Sequence, residues 1–197
     1  MTLRFYFDPI CSWTWQTSLW VREVREHSKL EIQWKVLSLS EMNRGHDAQA
    51  GIHAKSDNAL RILVQARREG GNAAIDRLYL ALGQAQRRQN MDSAEVLEAA
   101  LEEAQLDRAL LRQALDDSST QDEVMADHDE AVTRYGAFGS PWLVLGNQEF
   151  GFFGPVIANV PRGAAALELW EHVSWLLQQP HFYELKRART EGIQEQQ

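Results

Sequence analysis

Leu3-Arg4-Phe5-Tyr6-Phe7-Asp8-Pro9-Ile10-Cys11-Ser12-Trp13-Thr14-Trp15 is the stretch on which the fold turns. It opens with a short run of apolar and aromatic residues and stops at Asp8-Pro9, where proline has no N–H to continue a central ladder. Beyond Cys11, Trp15, Leu19, Trp20, Val21 and Val24 recur at helical spacing as far as His27, and Glu31 to Leu37 then alternates polar and apolar with period two. The pattern predicts strand, short loop, helix, strand, with Cys11 at the helix start.

Outward from this opening the texture changes. From about Glu41 to Tyr135 the chain is rich in Ala, Leu, Glu, Gln and Arg, punctuated at Gly70-Gly71, Asn90 and Asp116-Asp117-Ser118-Ser119, which predicts several short helices. Asn72 precedes an Ile75, Leu78, Tyr79, Leu82 stripe, and Thr120 with Glu123 reads as a capping box before Val124, His128, Ala131, Val132 and Tyr135. Gly136 supplies the stop. Trp142 to Leu145, Gly146-Asn147 and Glu149 to Phe153 read as a hairpin, the glycine and asparagine providing the positive φ of a tight turn. Arg162-Gly163 opens a last helix with Ala166, Leu169, Trp170, Val173 and Leu176 on one face, ended by Pro180. The expected domains are residues 1–40 with 137–190, a helical insertion over 41–136, and a frayed end over 191–197.

Composition narrows the function. The chain has 197 residues, 44% of them hydrophobic, enough for a sizeable core, and its formal charge of -8 argues against nucleic-acid or anionic-membrane surfaces. Arg67-Arg68 and Arg87-Arg88 read as solvated helix faces. There is no apolar run of about twenty residues, and Met1-Thr2-Leu3-Arg4 enters the strand pattern without a basic leader or cleavage site, so the expected location is cytoplasmic. One cysteine among 197 residues excludes an internal disulfide. No two histidines lie at i, i+4 spacing, His46 and His53 being loop-separated, so no metal is expected. Gly136-Ala137-Phe138-Gly139 lacks the strand-to-helix context of a nucleotide loop, and no flavin signature is present. The sequence carries no signal for oligomeric state.

A cysteine just before a helix meets unpaired backbone N–H groups and the positive end of the helix dipole, both favouring thiolate. Position alone leaves two readings of Cys11, a nucleophile or a buried apolar side chain. Gly139-Ser140-Pro141 stands directly before the second strand pair. With strand, Cys at a helix start, strand, helical insertion, Gly-x-Pro, hairpin and helix, the order is that of a thioredoxin fold with an inserted all-helical domain, an α/β architecture. That order predicts a cis Ser140-Pro141 bond facing Cys11.

Phe7-Asp8-Pro9-Ile10-Cys11-Ser12-Trp13-Thr14-Trp15 resembles the active-site stretch of the DsbA-like mycothiol-dependent nitroreductases, whose pattern is Phe-Asp-Pro, an apolar residue, then Cys-Pro-Trp-Cys-Trp. Phe152 to Val156 with Val160-Pro161-Arg162-Gly163, and Pro180 to Arg187, are similar to that family's C-terminal signatures, so the resemblance runs from Phe5 to Glu191. It implies a DsbA-type thiol oxidoreductase that uses mycothiol as co-substrate, with bacillithiol or glutathione as substitutes in a host that makes those. Two positions depart from the pattern: Ser12 stands for the proline and Thr14 for the resolving cysteine. The dithiol route therefore does not carry over, and turnover is expected to be monothiol, with Cys11 forming an adduct that a small thiol resolves.

Thr14, one turn into the helix, is read either as a hydroxyl donor to the thiolate or as an ordinary helix residue. The expected thiol- or substrate-binding set is Ser12, Trp13, Ser140, Pro141, Trp142 and His128, the last read by default as a hydrogen-bonded structural histidine. Trp13, Trp15, Trp142, Phe152 and Phe153 are candidates for a pocket around a flat nitroaromatic or quinone-like ring, with Trp15, Phe152 and Phe153 read rather as core and Trp13 as exposed at the site. Two other functions share the architecture. One is a kappa-class glutathione transferase or chromene-carboxylate isomerase, in which serine stands at the cysteine position, though its glutathione-gripping Phe-Gly-Ser-Asp is here Phe153-Gly154-Pro155-Val156. The other is a noncatalytic thioredoxin-like binding protein.

Overall fold

The computed structural model describes residues 1–45 and 50–193. His46 and the end of the expected frayed tail, 194–197, lie outside the described residues.

The opening folds as the pattern requires. Strand β1 (Thr2–Phe7) runs into helix α1 (Ser12–Glu26), and β2 (Glu31–Val36) returns parallel to β1, pairing Phe5 with Trp34. Strand β3 (Trp142–Leu145) lies antiparallel on the other side of β1, and β4 (Phe152–Phe153) pairs antiparallel beyond it, giving the order β2-β1-β3-β4. Leu3, Phe5, Tyr6 and Phe7 are all fully buried, because a central strand covered on both faces reads as a continuous apolar run. Phe5 and Phe7 face the main core, where Tyr79 stacks on Phe7 at 3.7 Å. Tyr6 faces a smaller core of Leu37, Ala131, Tyr135, Trp142 and Val144.

The expected hairpin is shorter than its apolar pattern. Strand β4 holds only Phe152–Phe153, and the turn takes its positive φ from Gly146 alone, leaving 147–151 as a loop. Trp142 explains the loop's course: its indole fills the space that a Cβ on Gly151 would occupy, 2.2 Å from Nε1.

Between β2 and β3 come α2 (Leu39–Met42), α3 (Ala50–His53), α4 (Asp57–Leu82), α5 (Ala85–Gln89), α6 (Ala94–Glu103), α7 (Ala109–Asp116) and α8 (Ser119–Asp129). Gly70 and Gly71 kink α4, Gly71 at φ +64° where an L side chain is strained. Asn72 follows, and rather than serving only as a helix start its side chain acts as a strand would. Its Oδ1 accepts from Trp34 N–H at 2.9 Å and its Nδ2 donates to the Ile32 carbonyl at 2.7 Å, satisfying the open edge of β2.

The capping box is not formed. Thr120 Oγ1 donates instead to the Ala114 and Asp117 carbonyls, and Glu123 is drawn to Arg67 and Arg68. The cap of α8 is made by Asp117, whose carboxylate accepts from Ser119 N–H at 2.9 Å, since the Asx turn competes better for the first amide. A wide turn over Glu130–Arg134 extends α8 before Gly136, at φ +72°, releases the chain toward β3. Helix α9 (Gly163–Leu176) lies against α1, with Trp20 Nε1 donating to the Ala166 carbonyl at 3.1 Å. Among the described residues no helix is long and apolar enough to cross a membrane.

Candidate functional site

The end of β1 and the first turn of α1 bring the site together. Cys11 takes the N-cap position of α1, in extended conformation, and its N–H donates to the Asp8 carbonyl at 3.1 Å. The Ser140-Pro141 bond is cis, as expected, and Ser140 lies across from the helix start. The Cys11 thiol reaches the Ser140 carbonyl at 3.8 Å. Thr14 Oγ1 and Ser140 Oγ share a hydrogen bond of 2.8 Å, and Ser140 Oγ also accepts from Asp8 N–H at 3.2 Å. Residues separated by well over a hundred positions thus form one compact group: Cys11, Thr14, Ser140 and Asp8.

Thr14 is wholly buried, and its hydroxyl and N–H, with the N–H of Trp13, favour the thiolate of Cys11. They do not prevail. Burial is the strongest influence and pushes the thiol up from its ordinary value, with the negative charge of Asp8 adding to the rise. The low thiolate pKa expected from the helix N-terminus is therefore corrected, because the dipole end here is also a desolvated one.

Asp8 is the residue that sequence reasoning passed over, although it stands in the quoted motif. It is fully buried, and its carboxylate accepts from Ile10 N–H at 3.1 Å and Leu39 N–H at 2.8 Å, tying the Cys11 loop to the start of α2. Burial raises its pKa to about 6 against those hydrogen bonds. An acid directly before proline, right after the aromatic run Phe5-Tyr6-Phe7, was the available signal.

The sign of its effect on stability follows. In the unfolded chain Asp8 ionises near 3.8 and in the fold near about 6, so the fold holds the proton longer. Its ionisation therefore costs stability as pH rises between those values, by about 3 kcal/mol in full, and nothing further above them. Asp8→Asn is expected to flatten that slope in denaturant unfolding across this window and to move the pH profile of Cys11 alkylation toward acid. An unchanged unfolding slope would mean that Asp8 has the same pKa in the fold as in the unfolded chain.

The aromatic rings do not form one pocket. Trp15 is core, edge-on to Tyr79 at 5.6 Å, and a Cβ on Gly83 would fall 2.1 Å from its ring. Trp142 is buried under the exposed Phe138, at 5.2 Å between centroids, while Phe153 packs on Phe138 and Phe152 stacks on Phe182. Trp13 and Ser12 stay partly exposed beside Cys11, and Pro141 is buried.

His128 is buried, but the hydrogen bond expected of it is not at Nδ1, which has no partner among the described residues. It lines a groove of about 430 Å³ with Glu41, Met42, Asn43, Asp129, Val132 and Phe138. Burial holds its pKa below the ordinary value, against the pull of Asp129 and Glu41, so the imidazole is neutral at pH 7. Ala137-Phe138, on one wall of this groove, leads directly into Gly139-Ser140. Among the described residues no group of three or more His, Cys, Asp or Glu is arranged to hold a metal ion.

Known proteins share this fold. The family described as Rv2466c-like, mycothiol-dependent nitroreductase Rv2466c, matches residues 10–187. An uncharacterized protein of Mycobacterium tuberculosis, Rv2286c, is 36% identical over 196 residues, covering 96% of this chain and 83% of that protein. A putative protein disulfide isomerase from Nitrosomonas europaea superposes with a TM-score of 0.60 at 15% identity, over 90% of this chain and 98% of its own. The cytosolic disulfide reductase DsbM of Pseudomonas aeruginosa, solved with GSH, superposes at 0.59 and 17% identity, over 88% of this chain and all of its own (100%). The architecture is thus the DsbA-like thioredoxin fold.

Proposed function

The chain belongs to the Rv2466c-like family of mycothiol-dependent nitroreductases, and from that premise we propose that it is a cytoplasmic thiol oxidoreductase working through Cys11 alone. The carrying observation is the Cys11, Thr14, Ser140 group, a thiol at a helix N-cap with a hydroxyl one turn in and a carbonyl facing it.

The reaction proceeds by exchange. The Cys11 thiolate attacks one sulfur of a disulfide, forming a mixed disulfide and releasing the other half as a thiolate that takes up a proton. A low-molecular-weight thiolate then attacks the mixed disulfide and frees Cys11, and a further equivalent of the same thiol completes reduction, so two small thiols become one disulfide. The same two electrons and two protons would take a nitroaromatic to the nitroso level with loss of water. Because burial raises the Cys11 pKa, the thiolate forms best once the hydroxyl of Thr14 is turned to the sulfur.

The small thiol is mycothiol on this reading, and the groove beside Phe138 supports it. Its charged lining is Glu41 and Asp129, which repel an anionic tripeptide such as glutathione but accept hydroxyl donors from an uncharged sugar thiol. His128 lines the same groove with its Nδ1 buried and unpartnered among the described residues, and Ser12 and Trp13 stay partly exposed beside the Cys11 sulfur.

Intact-mass measurement after incubation with oxidised mycothiol tests this. One thiol adduct per chain is expected, reversed by added thiol and absent from Cys11→Ser. No adduct would overturn the mechanism, and turnover that survives Cys11→Ser would assign the sulfur chemistry to a bound thiol, as in the kappa-class transferases.

A further inference from the structure

Beyond α9 the chain does not drift away from the body. Phe182 stacks on Phe152 at 5.9 Å, and seven residues later the guanidinium of Arg189 lies over the ring of Trp13, 4.8 Å from its centroid. Between these two anchors the backbone is irregular and outward-facing, with Tyr183 and Leu185 more than four-fifths exposed. Among the described residues no backbone hydrogen bond ties down 183–193. A segment with so few restraints would spread over solvent unless something held its far end, and the far end rests on the residue two positions from Cys11.

We propose that residues 183–193 form a strap across the mouth of the Cys11 site, latched by Arg189 on Trp13, that admits small thiols and holds back large disulfides. The proposal rests on Cys11 being the reactive thiol. The physical basis is the contrast between the two anchors. Phe182 is partly buried in an aromatic stack, a fixed end, whereas Arg189 makes a cation–π contact at an exposed site, an end that releases readily. Arg189 also bears on the placement of Trp13, whose main-chain carbonyl accepts from Thr17 Oγ1 at 3.1 Å while its side chain is only partly buried. Arg189 is therefore a positioning residue that acts through Trp13.

The measurement is Cys11 modification by two uncharged reagents, iodoacetamide and a pyridyl disulfide carrying a long polyethylene glycol chain, on the intact protein, on a form ending at Phe182, and on Arg189→Ala and Arg189→Lys. Removing the exposed segment leaves the Phe152 stack in place, and an unchanged melting temperature confirms the fold. Arg189→Ala is expected to raise the rate with the bulky disulfide about two- to fivefold, the population shift that loss of an exposed cation–π contact allows. The form ending at Phe182 should exceed that gain, Arg189→Lys should stay near the intact protein, and iodoacetamide rates should not change. Equal rates in all forms, or the same acceleration for both reagents, would overturn the strap while leaving Cys11 as the reactive thiol. A Cys11 inert to both reagents in every form would overturn the reading of Cys11 and the strap with it.

Discussion

The Thr14→Cys protein is expected to close an internal disulfide with Cys11 on mild oxidation and to shed a bound small thiol at least about a hundredfold faster than the natural chain. Thr14 lies three residues into α1 and is fully buried, and its hydroxyl is within hydrogen-bond reach of both the Cys11 sulfur and Ser140 Oγ. A sulfur on the same Cβ therefore stands where a resolving thiol must stand. Exchange then changes from a bimolecular attack by free thiol to an intramolecular one, and well-oriented intramolecular reactions reach effective molarities of about 10⁵ M or more. Two readouts separate the outcomes. Intact mass should show loss of two hydrogens on oxidation, and the mixed disulfide formed with oxidised mycothiol should collapse without added thiol. A variant that stays reduced, with an adduct as long-lived as that of the natural chain, would show that position 14 cannot reach the Cys11 sulfur and that the Thr14 hydroxyl is only part of the α1 packing.

Asp127→Ala is expected to lower unfolding free energy by about 3–5 kcal/mol, the usual result of removing one partner from a buried ion pair. Asp127 is almost wholly buried at the end of α8 and carries three contacts at once. Its Oδ1 accepts from Lys35 Nζ at 2.9 Å, and its Oδ2 accepts from Val36 N–H at 3.2 Å and from Arg67. Glu130 adds a second carboxylate to Lys35 at 3.3 Å and accepts from Tyr6 Oη at 2.9 Å. Burial works against the Lys35 ammonium, yet Asp127 and Glu130 outweigh it and hold its pKa above the ordinary value. With Asp127 gone, a buried backbone N–H is left unpaired and two half-buried cations lose their nearer partner, Lys35 keeping only Glu130 and Arg67 only Glu123. Because β2, α4 and α8 meet here, the variant should also lose the fixed relation of the inserted helices to the sheet. Urea unfolding read by circular dichroism gives the midpoint, and a loss below about 1 kcal/mol would show the cations relaxing into solvent at little cost.

How far the sequence reaches can be judged residue by residue. The aromatic run Phe5-Tyr6-Phe7 stopped by Pro9, the helical spacing from Trp15, and the alternation from Glu31 are local signals, and they determined the β-α-β opening with Cys11 at the N-cap. Gly136 and Gly146 were equally legible because a positive φ is a property of one residue. Cys11 and the Ser140-Pro141 loop were found as separate local features, and the order of the elements sufficed to set them opposite each other.

What the tertiary structure decided are the matters of environment. The Cys11 pKa is one, since the helix end that favours thiolate is local whereas the burial that opposes it comes from residues throughout the chain. The fate of Thr120 and Glu123 is another: the capping box was available, but Ala114, Asp117 and two arginines from α4 offered better partners. The aromatic set divided in the same way, Trp15 going to the core beside Tyr79 and Trp13 to the surface under Arg189, because spacing along a helix gives the face and only packing gives the neighbours. Asp8 and the C-terminal strap were invisible for the same physical reason. A carboxylate is made unusual by what surrounds it, and a polar tail acquires a role only through the distant ring on which it comes to rest.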